Sequence, residues 1–240
     1  MKIDYIGRCL VVESKEGKKI LVIGDLHFGY GESMRRSGIM IPDKIYEEVL
    51  DEMNAIFVRA GRIDEVVLLG DLKHEFGKIL DAEWREIKKF IDYLKGKIGK
   101  AGKIIIIKGN HDKITEVVTE QKDLELKDYY IFNDVAFVHG DKKLEGSDIY
   151  NKDIKYWIMG HGHPAVKISD GVKEEKYKCF LVGKWRGREI VIVPSFFDVN
   201  EGTDARDFDL GLAWDFNLFE FRAKVIAELI VLDFGKLKEI

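Results

Sequence analysis

The chain has 240 residues, of which 46% are hydrophobic and 34% charged, with a formal net charge of −4. So mild a charge excludes a protein that coats nucleic acid by bulk electrostatics, and it leaves room for a local basic groove. The apolar content is ample for a large core, and no apolar stretch approaches the roughly 20 residues that span a bilayer. The start, MKIDYIGRCLVVESKEGKK, carries charges inside its apolar run and does not read as a secretory leader. Cys9 and Cys179 lie in apolar, strand-like contexts and read as buried reduced thiols of a cytoplasmic chain.

In chain order, residues 2–13 read as a strand pair turning near Gly7, and Ser14–Gly17 as a polar turn. Lys19–Gly24 is a buried strand, followed by Asp25-Leu26-His27; period two puts Asp25 and His27 on one side if the chain stays extended. Phe28–Ile41, with Glu32, Arg35 and Arg36, is glycine-rich and expected to be irregular. Helical spacing of Ile45, Val49, Met53, Ile56 and Phe57 predicts a helix over Pro42–Ala60, with Pro42 near its first turn. Val66–Gly70 is a second buried strand. Asp81–Gly96 is an amphipathic helix carrying Trp84, Ile87, Ile91 and Leu94, with Asp81 as its N-cap. Gly99 and Gly102 mark the turn into a third strand.

Lys113–Lys127 is less regular. Strands then crowd together at Tyr129–Phe132, Val135–His139, Tyr156–Gly160, Ala165–Ser169, Lys178–Gly183 and Glu189–Val193, with further strand-like pieces at Gly211–Phe216, Phe219–Val225 and Leu229–Phe234. The first half alternates strand and helix and the second half is mainly strands, which two packed sheets with helices outside accommodate. No linker or repeat interrupts 1–240, so one domain is expected. The basic residues from Lys173 to Arg188 alternate with apolar ones, as solvated strand faces do.

Four apolar runs end alike: LVIGDLH (Leu21–His27), VVLLGD (Val66–Asp71), IIIIKGNHD (Ile104–Asp112) and YWIMGHGH (Tyr156–His163). Each is followed by a glycine and then by side chains that bind metals. VAFVHG (Val135–Gly140) puts its histidine before the glycine. Val- and Ile-rich runs of this length are the signal for strands buried on both faces, and open α/β sheets bind ligands just past the carboxyl ends of such strands. All six histidines, His27, His74, His111, His139, His161 and His163, lie within or three residues after these junctions. One such histidine would read as surface or core; six at strand ends point to a metal site.

The candidate ligands are Asp25, His27, Asp71, Asn110, His139, His161 and His163. A mixed carboxylate, imidazole and amide set suits divalent ions of the Mn, Fe or Zn kind. The absence of cysteine argues against a closed structural zinc site. Seven ligands exceed what one open catalytic ion takes and suit two ions sharing a carboxylate, roughly 3.5–4 Å apart in hydrolytic sites of this type. His111 is free to bond a phosphoryl oxygen or protonate a leaving group. His74 either assists or holds His111, or is a surface residue. Asp112 reads as an orienting or capping residue within the catalytic group. Arg35 and Arg36 either clamp phosphate or belong to a solvated loop.

The order D-x-H, GD, GNHD, H, GHGH resembles the calcineurin-like metallophosphoesterase superfamily. The resemblance implies a four-layer α-β-β-α sandwich of two mixed sheets. It implies one metal held by Asp25, His27, Asp71 and His163 and a second by Asp71, Asn110, His139 and His161. Asp71 would bridge them, and His111 would be the catalytic histidine. GDLHFGYGESMRRSGIMIP, GDLKHEFG, GHGHPAV and KCFLVG are similar to the prokaryotic DNA ligase-associated or ICC-like phosphoesterases, with Phe28 where leucine is usual. That likeness implies a Mn-dependent phosphodiesterase or nuclease linked to DNA repair (Fe, Zn or Ni being alternatives). Single-stranded or flexible DNA is the expected substrate, because an exposed strand enters a shallow site without being unwound. Helicase or ligase partners and homo-oligomers would accompany it, and no membrane. The rival readings are a phosphodiesterase or phosphatase for small or cyclic nucleotides, and a non-catalytic protein-binding scaffold.

Overall fold

The computed structural model describes residues 1–40, 44–75, 81–112, 124–169, 171–197, 199 and 201–240. Two mixed sheets face each other. The first contains β1 (Lys2–Ile6), β2 (Cys9–Glu13), β3 (Lys19–Ile23), β4 (Glu65–Leu68), β5 (Lys103–Ile107) and β6 (Glu125–Lys127), side by side in that order. β1, β2 and β3 are antiparallel neighbours, and β3 to β6 run parallel. The second contains β7 (Tyr129–Phe132), β8 (Val135–Val138), β9 (Tyr156–Met159), β10 (Pro164–Ser169), β11 (Glu174–Trp185), β12 (Arg188–Ile192) and β13 (Thr203–Asp204), in the order β13-β10-β11-β12-β9-β8-β7. β14 (Arg222–Ala227) pairs with β11, and β15 (Ile230–Lys236) with β14. β8, β9 and β12 are mutually parallel.

The alternation of side chains assigns each strand residue to a layer. In β3, Ile20 and Val22 point between the sheets while Leu21 and Ile23 point to the helices. β5 does the same with Ile105 and Ile107 against Ile104 and Ile106. Strands buried on both faces have no use for polar residues, which is why these segments are unbroken apolar runs. From the second sheet, Phe137, Ile158, Phe180 and Val191 fill the shared inner layer. The outer face of the first sheet is covered by α2 (Ile45–Ala60) and α3 (Asp81–Ile98), whose Met53, Ile56, Ile87 and Phe90 are buried there.

The expected four layers are present. Among the described residues, however, the layer over the second sheet is built from single 3₁₀ turns at Asp148–Tyr150 and Leu218–Glu220 and from irregular chain. Ile149, Leu210, Trp214 and Phe221 supply its buried apolar surface. Trp157 stands at the centre of that layer, its ring 5.2 Å from Trp214 and its indole N–H donated to the Ile149 carbonyl at 3.0 Å. No helix among the described residues is long and apolar enough to cross a membrane. Cys9 and Cys179 are both buried and free.

Four expectations need correction, and one, at Pro42, lies outside the described residues. The stretch expected to be irregular contains a two-turn helix, α1 (Tyr30–Arg36), and only its last residue, Ile41, lies outside the described residues. Pro42 also lies outside them, and α2 starts at Ile45. Asp81 is not a cap but the first residue of α3, where its charge favours the helix amino end. Gly211–Phe216 is not a strand: Gly211 has φ +68, and the segment folds over the second sheet without joining a ladder. Of the piece expected to be less regular, 113–123 lies outside the described residues and Glu125–Lys127 forms β6.

Gly183 in β11 faces the buried Phe221, and a Cβ added there would fall on the Phe221 ring. Gly183→Ala is therefore expected to destabilise the fold by about 1–3 kcal/mol through overpacking, measured as a shift of the denaturant midpoint at constant slope.

Candidate active site

The parallel strands of both sheets end at one edge of the sandwich. There the chain places Asp25 and His27 after β3, Asp71 after β4, Asn110 and His111 after β5, His139 after β8, and His161 and His163 after β9. Three groups of ligand atoms form, each drawn together within 4.8 Å: Asp25, His27 and His163; His27, Asp71 and His111; and Asp71, His139 and His161. The sequence predicted this gathering, although the reason given for Asp25 and His27 was incomplete. β3 stops at Ile23, and His27 is turned into the left-handed region rather than being extended.

That turn is shared. His27, Asp71, His161 and His163 have φ of 45°, 48°, 63° and 42°. A non-glycine residue so held carries strain on the order of 1–3 kcal/mol, and such residues collect at functional sites. Backbone bonds hold the turns. The Leu26 and His27 N–H groups both donate to the Asp71 carbonyl, and the Phe28 N–H donates to that of Leu72. Gly160, before His161, lets the sheets close: a Cβ there would sit 2.8 Å from Asp25 Oδ2.

Asp25 and Asp71 are buried, as are His27 and His139, while Asn110, His111, His161 and His163 are partly exposed. The cage thus has a closed floor and an open rim. Burial alone raises both carboxylates. In each case the facing rings outweigh it, His163 at Asp25 and His139 at Asp71, so that both fall below the ordinary carboxylate value. Burial carries His27 down to about 3. His161 is lowered by burial and by His139, and His74 by burial and by His111. His139 goes the other way. Burial would lower it, but Asp71 and Asp25 together lift it to about 10.

The geometry around His139 suits a cation. Its Nδ1–H is donated to the Leu69 carbonyl at 2.7 Å, and its Nε2 lies 3.0 Å from Asn110 Oδ1 and 3.4 Å from Asp71 Oδ2. A neutral His139 would aim a lone pair at two oxygen acceptors. His161 Nδ1 also lies 3.2 Å from this Nε2. A proton on Nε2, an N–H from His161 or a metal ion among these atoms each relieves the clash, and the mixed donor set fits a divalent ion. On the other side, His27 Nε2 and His163 Nε2 face each other at 3.3 Å, and His163 Nε2 lies 3.6 Å from Asp25 Oδ2. His27 Nδ1 is buried without a hydrogen-bond partner among the described residues.

His111 stands slightly apart. Its Nδ1 meets the His74 carbonyl at 2.6 Å, its Nε2 lies 4.0 Å from Asp71 Oδ2, and its N–H is donated to Asp71 Oδ1 at 2.9 Å. His74 comes to the site beside it, with its ring 5.8 Å from that of His27 and 4.6 Å from that of Tyr30. Asp112 is fully buried and accepts the Leu72 and Gly109 N–H groups, locking the β4 and β5 loops together. That is an orienting task. Arg35 and Arg36 lie exposed on α1, both hydrogen-bonded to Glu32.

Two contributors went unnoticed in the sequence. After β12 the chain reads Pro194-Ser195-Phe196-Phe197, and there the Phe196 N–H and the Ser195 hydroxyl both donate to the Asp25 carbonyl. Lys178, one of the basic residues expected on a solvated face, instead donates its ammonium to the Ser195 and Phe197 carbonyls. This loop also follows an apolar run, Val191–Val193, but no glycine or histidine marks it. The second contributor is Glu83 on α3, which accepts the N–H groups of His74 and Glu75. A carboxylate on the buried stripe of an amphipathic helix, one turn before Ile87, was the available signal.

Comparison with known proteins bears on the fold and the family. The chain is similar to the nuclease MPE of Pseudomonas putida, with a TM-score of 0.61 and 14% identity over 93% of this chain and 100% of that one; at such identity the likeness is one of fold. A single mutant of Vps29 from Entamoeba histolytica aligns over 90% of this chain and 99% of its own, at 18% identity and a TM-score of 0.39. No curated protein sequence matches. A family model described as calcineurin-like phosphoesterase matches residues 18–226. A match across that much of the sequence decides the assignment: the chain belongs to the calcineurin-like phosphoesterase family and is a metal-dependent phosphoesterase.

Proposed function

We propose that the protein is a two-metal phosphodiesterase that cleaves single-stranded or flexible DNA, with manganese as its working ion. The observation that carries the binuclear reading is the position of Asp71. Its carboxylate belongs to the group with His139 and His161 and also to the group with His27 and His111. Asp25, His27, Asp71 and His163 would hold one ion, and Asp71, Asn110, His139 and His161 the other. When bound, such a pair makes water acidic and offsets charge on the attacking and leaving oxygens at phosphorus.

The chain's own groups do the rest. A carbonyl only accepts, so the bond to His74 keeps a proton on His111 Nδ1, and Nε2 is the atom that exchanges one. As the P–O bond breaks and its electron pair moves to the leaving oxygen, protonated Nε2 can deliver its proton there. Asp112 keeps the loops that carry Asp71 and His111 in register. The pairs of Arg35 and Arg36 with Glu32 are surface pairs of little strength, which a phosphate could replace.

Support for DNA comes from the resemblance of the four stretches quoted above to ligase-associated phosphoesterases and from the full-length likeness to a nuclease. The open rim of Asn110, His111, His161 and His163 suits an extended strand. Manganese rests on the mixed ligand set without thiolate. A cytoplasmic role in repair beside a helicase or ligase completes the proposal.

With Mn²⁺ supplied, bis-p-nitrophenyl phosphate is expected to be turned over faster than the mono-ester, and circular single-stranded DNA to be linearised. A faster mono-ester sinks the diester reading, and intact circles would move the substrate to small nucleotides. Asp71→Ala should bind far less metal than the roughly two ions per chain expected of the parent, by elemental analysis. His111→Ala should keep its metal and lose roughly 10²–10⁴-fold in turnover of diesters with poor leaving groups.

A further inference from the structure

Glu83 lies on α3, away from the motif loops, and its side chain has no exposed surface. Its Oε1 accepts the Glu75 N–H at 2.8 Å and the His74 N–H at 3.1 Å. The Glu75 N–H and the His74 C=O belong to one peptide unit, and the planar trans amide points them in opposite directions. The carbonyl end of that unit takes the His111 Nδ1–H at 2.6 Å. Carboxylate, amide and imidazole therefore form a single hydrogen-bonded line: Glu83 Oε1, then H–N and C=O of the 74–75 peptide, then Nδ1–H of His111.

We propose that Glu83 is the positioning residue of His111, acting through the His74–Glu75 peptide. This rests on His111 being the proton donor to the leaving oxygen. A negative charge at the N–H end of an amide polarises it and makes its carbonyl a stronger acceptor. The carbonyl then holds the imidazole with Nδ1 protonated and Nε2 turned to the cage, 4.0 Å from Asp71 Oδ2. Many hydrolases set a carboxylate directly on the ring; here a peptide stands between the two, so the ring meets a neutral acceptor.

The surroundings are shaped for this carboxylate. Gly29, at φ +85, packs against α3, and a Cβ there would overlap the Glu83 side chain. The Gly29 N–H is donated to Glu86, one turn along α3, at 2.9 Å. Glu75 is also tied on its other side, where the Ser33 hydroxyl of α1 meets its Oε1 at 2.5 Å. The 74–75 peptide is thus clamped from two helices, with its carbonyl the end presented to the active site.

The test is a double-mutant cycle on metal-loaded protein, using thymidine 5′-p-nitrophenyl phosphate and a dinucleotide as substrates with good and poor leaving groups. Glu83→Leu is expected to keep its metal content and KM and to lose about 10–100-fold in kcat on the dinucleotide, the usual range for residues that orient a functional group. The loss should shrink on the nitrophenyl ester, whose leaving group needs no proton. In a His111→Ala background Glu83→Leu should cost nothing more. Glu83→Gln, whose amide oxygen can still accept both N–H groups but carries no charge, should recover the part of the turnover due to positioning and fall between Glu83→Leu and the parent.

If Glu83→Leu does not fold, Glu83→Asp, one methylene short of the loop, carries the same cycle beside Glu83→Gln. Equal losses with and without His111, equal losses on both substrates, or loss of metal would each overturn the proposal. If His111→Ala turns over the dinucleotide as the parent does, the proton-donor reading beneath the proposal fails. If His111→Ala is crippled but the Glu83 effects add to it, this inference fails alone.

Discussion

The carboxylate of Asp25 has no exposed surface, and it accepts the His161 N–H at 3.2 and 3.1 Å from its two oxygens. Asp25 follows a strand of the first sheet and His161 a strand of the second, so this contact ties the two halves of the cage. The Asp25 carbonyl adds the Phe196 N–H and the Ser195 hydroxyl, again from the second sheet. A buried carboxylate without such donors would be costly, and with them it is rigid. Four left-handed residues sit beside it, and their strain persists because the inter-sheet layer of Leu69, Ile107, Phe137 and Ile158 leaves them nowhere to relax.

The two chemical tasks are built from different parts of the molecule. Two of the three ligand groups, Asp25 with His27 and His163 and Asp71 with His139 and His161, draw on both sheets and exist only where the sheets meet. Two described hydrogen bonds of His111 come from the first-sheet side, to the His74 carbonyl and to Asp71. His139 links the two arrangements through Asp71, which also takes the His111 N–H.

Much of this was legible in the sequence, because the physics is local. Ile104–Ile107 is apolar at every position since both of its faces are buried, and residues directly after such strands arrive together at the sheet edge. What escaped depends on contacts between distant segments. α1 contains Gly31 and follows Gly29, which lowers its intrinsic propensity. It is held by Ser33 on Glu75 and by Tyr30 against His74 and Phe197. Gly211–Phe216 has the apolar content of a strand, but Trp214 is used to roof the second sheet and no ladder is left for it. Ser195 acts on a backbone group with no glycine or histidine to mark it, and Glu83 shows in the sequence only as a carboxylate on the buried stripe of α3.

The inner layer has a further consequence. Side chains from the two sheets interdigitate there, with Val67 and Ile105 on one side and Phe137 and Ile158 on the other. One residue of strand advances about 3.3 Å, longer than any bond from a protein atom to a transition ion. A slip of one sheet over the other by a single rung would part His139 and His161 from Asp71 while every loop kept its shape. These greasy residues, none of which touches the chemistry, therefore act as the vernier that sets its scale. Drift in their volumes would retune the enzyme without altering a single polar group.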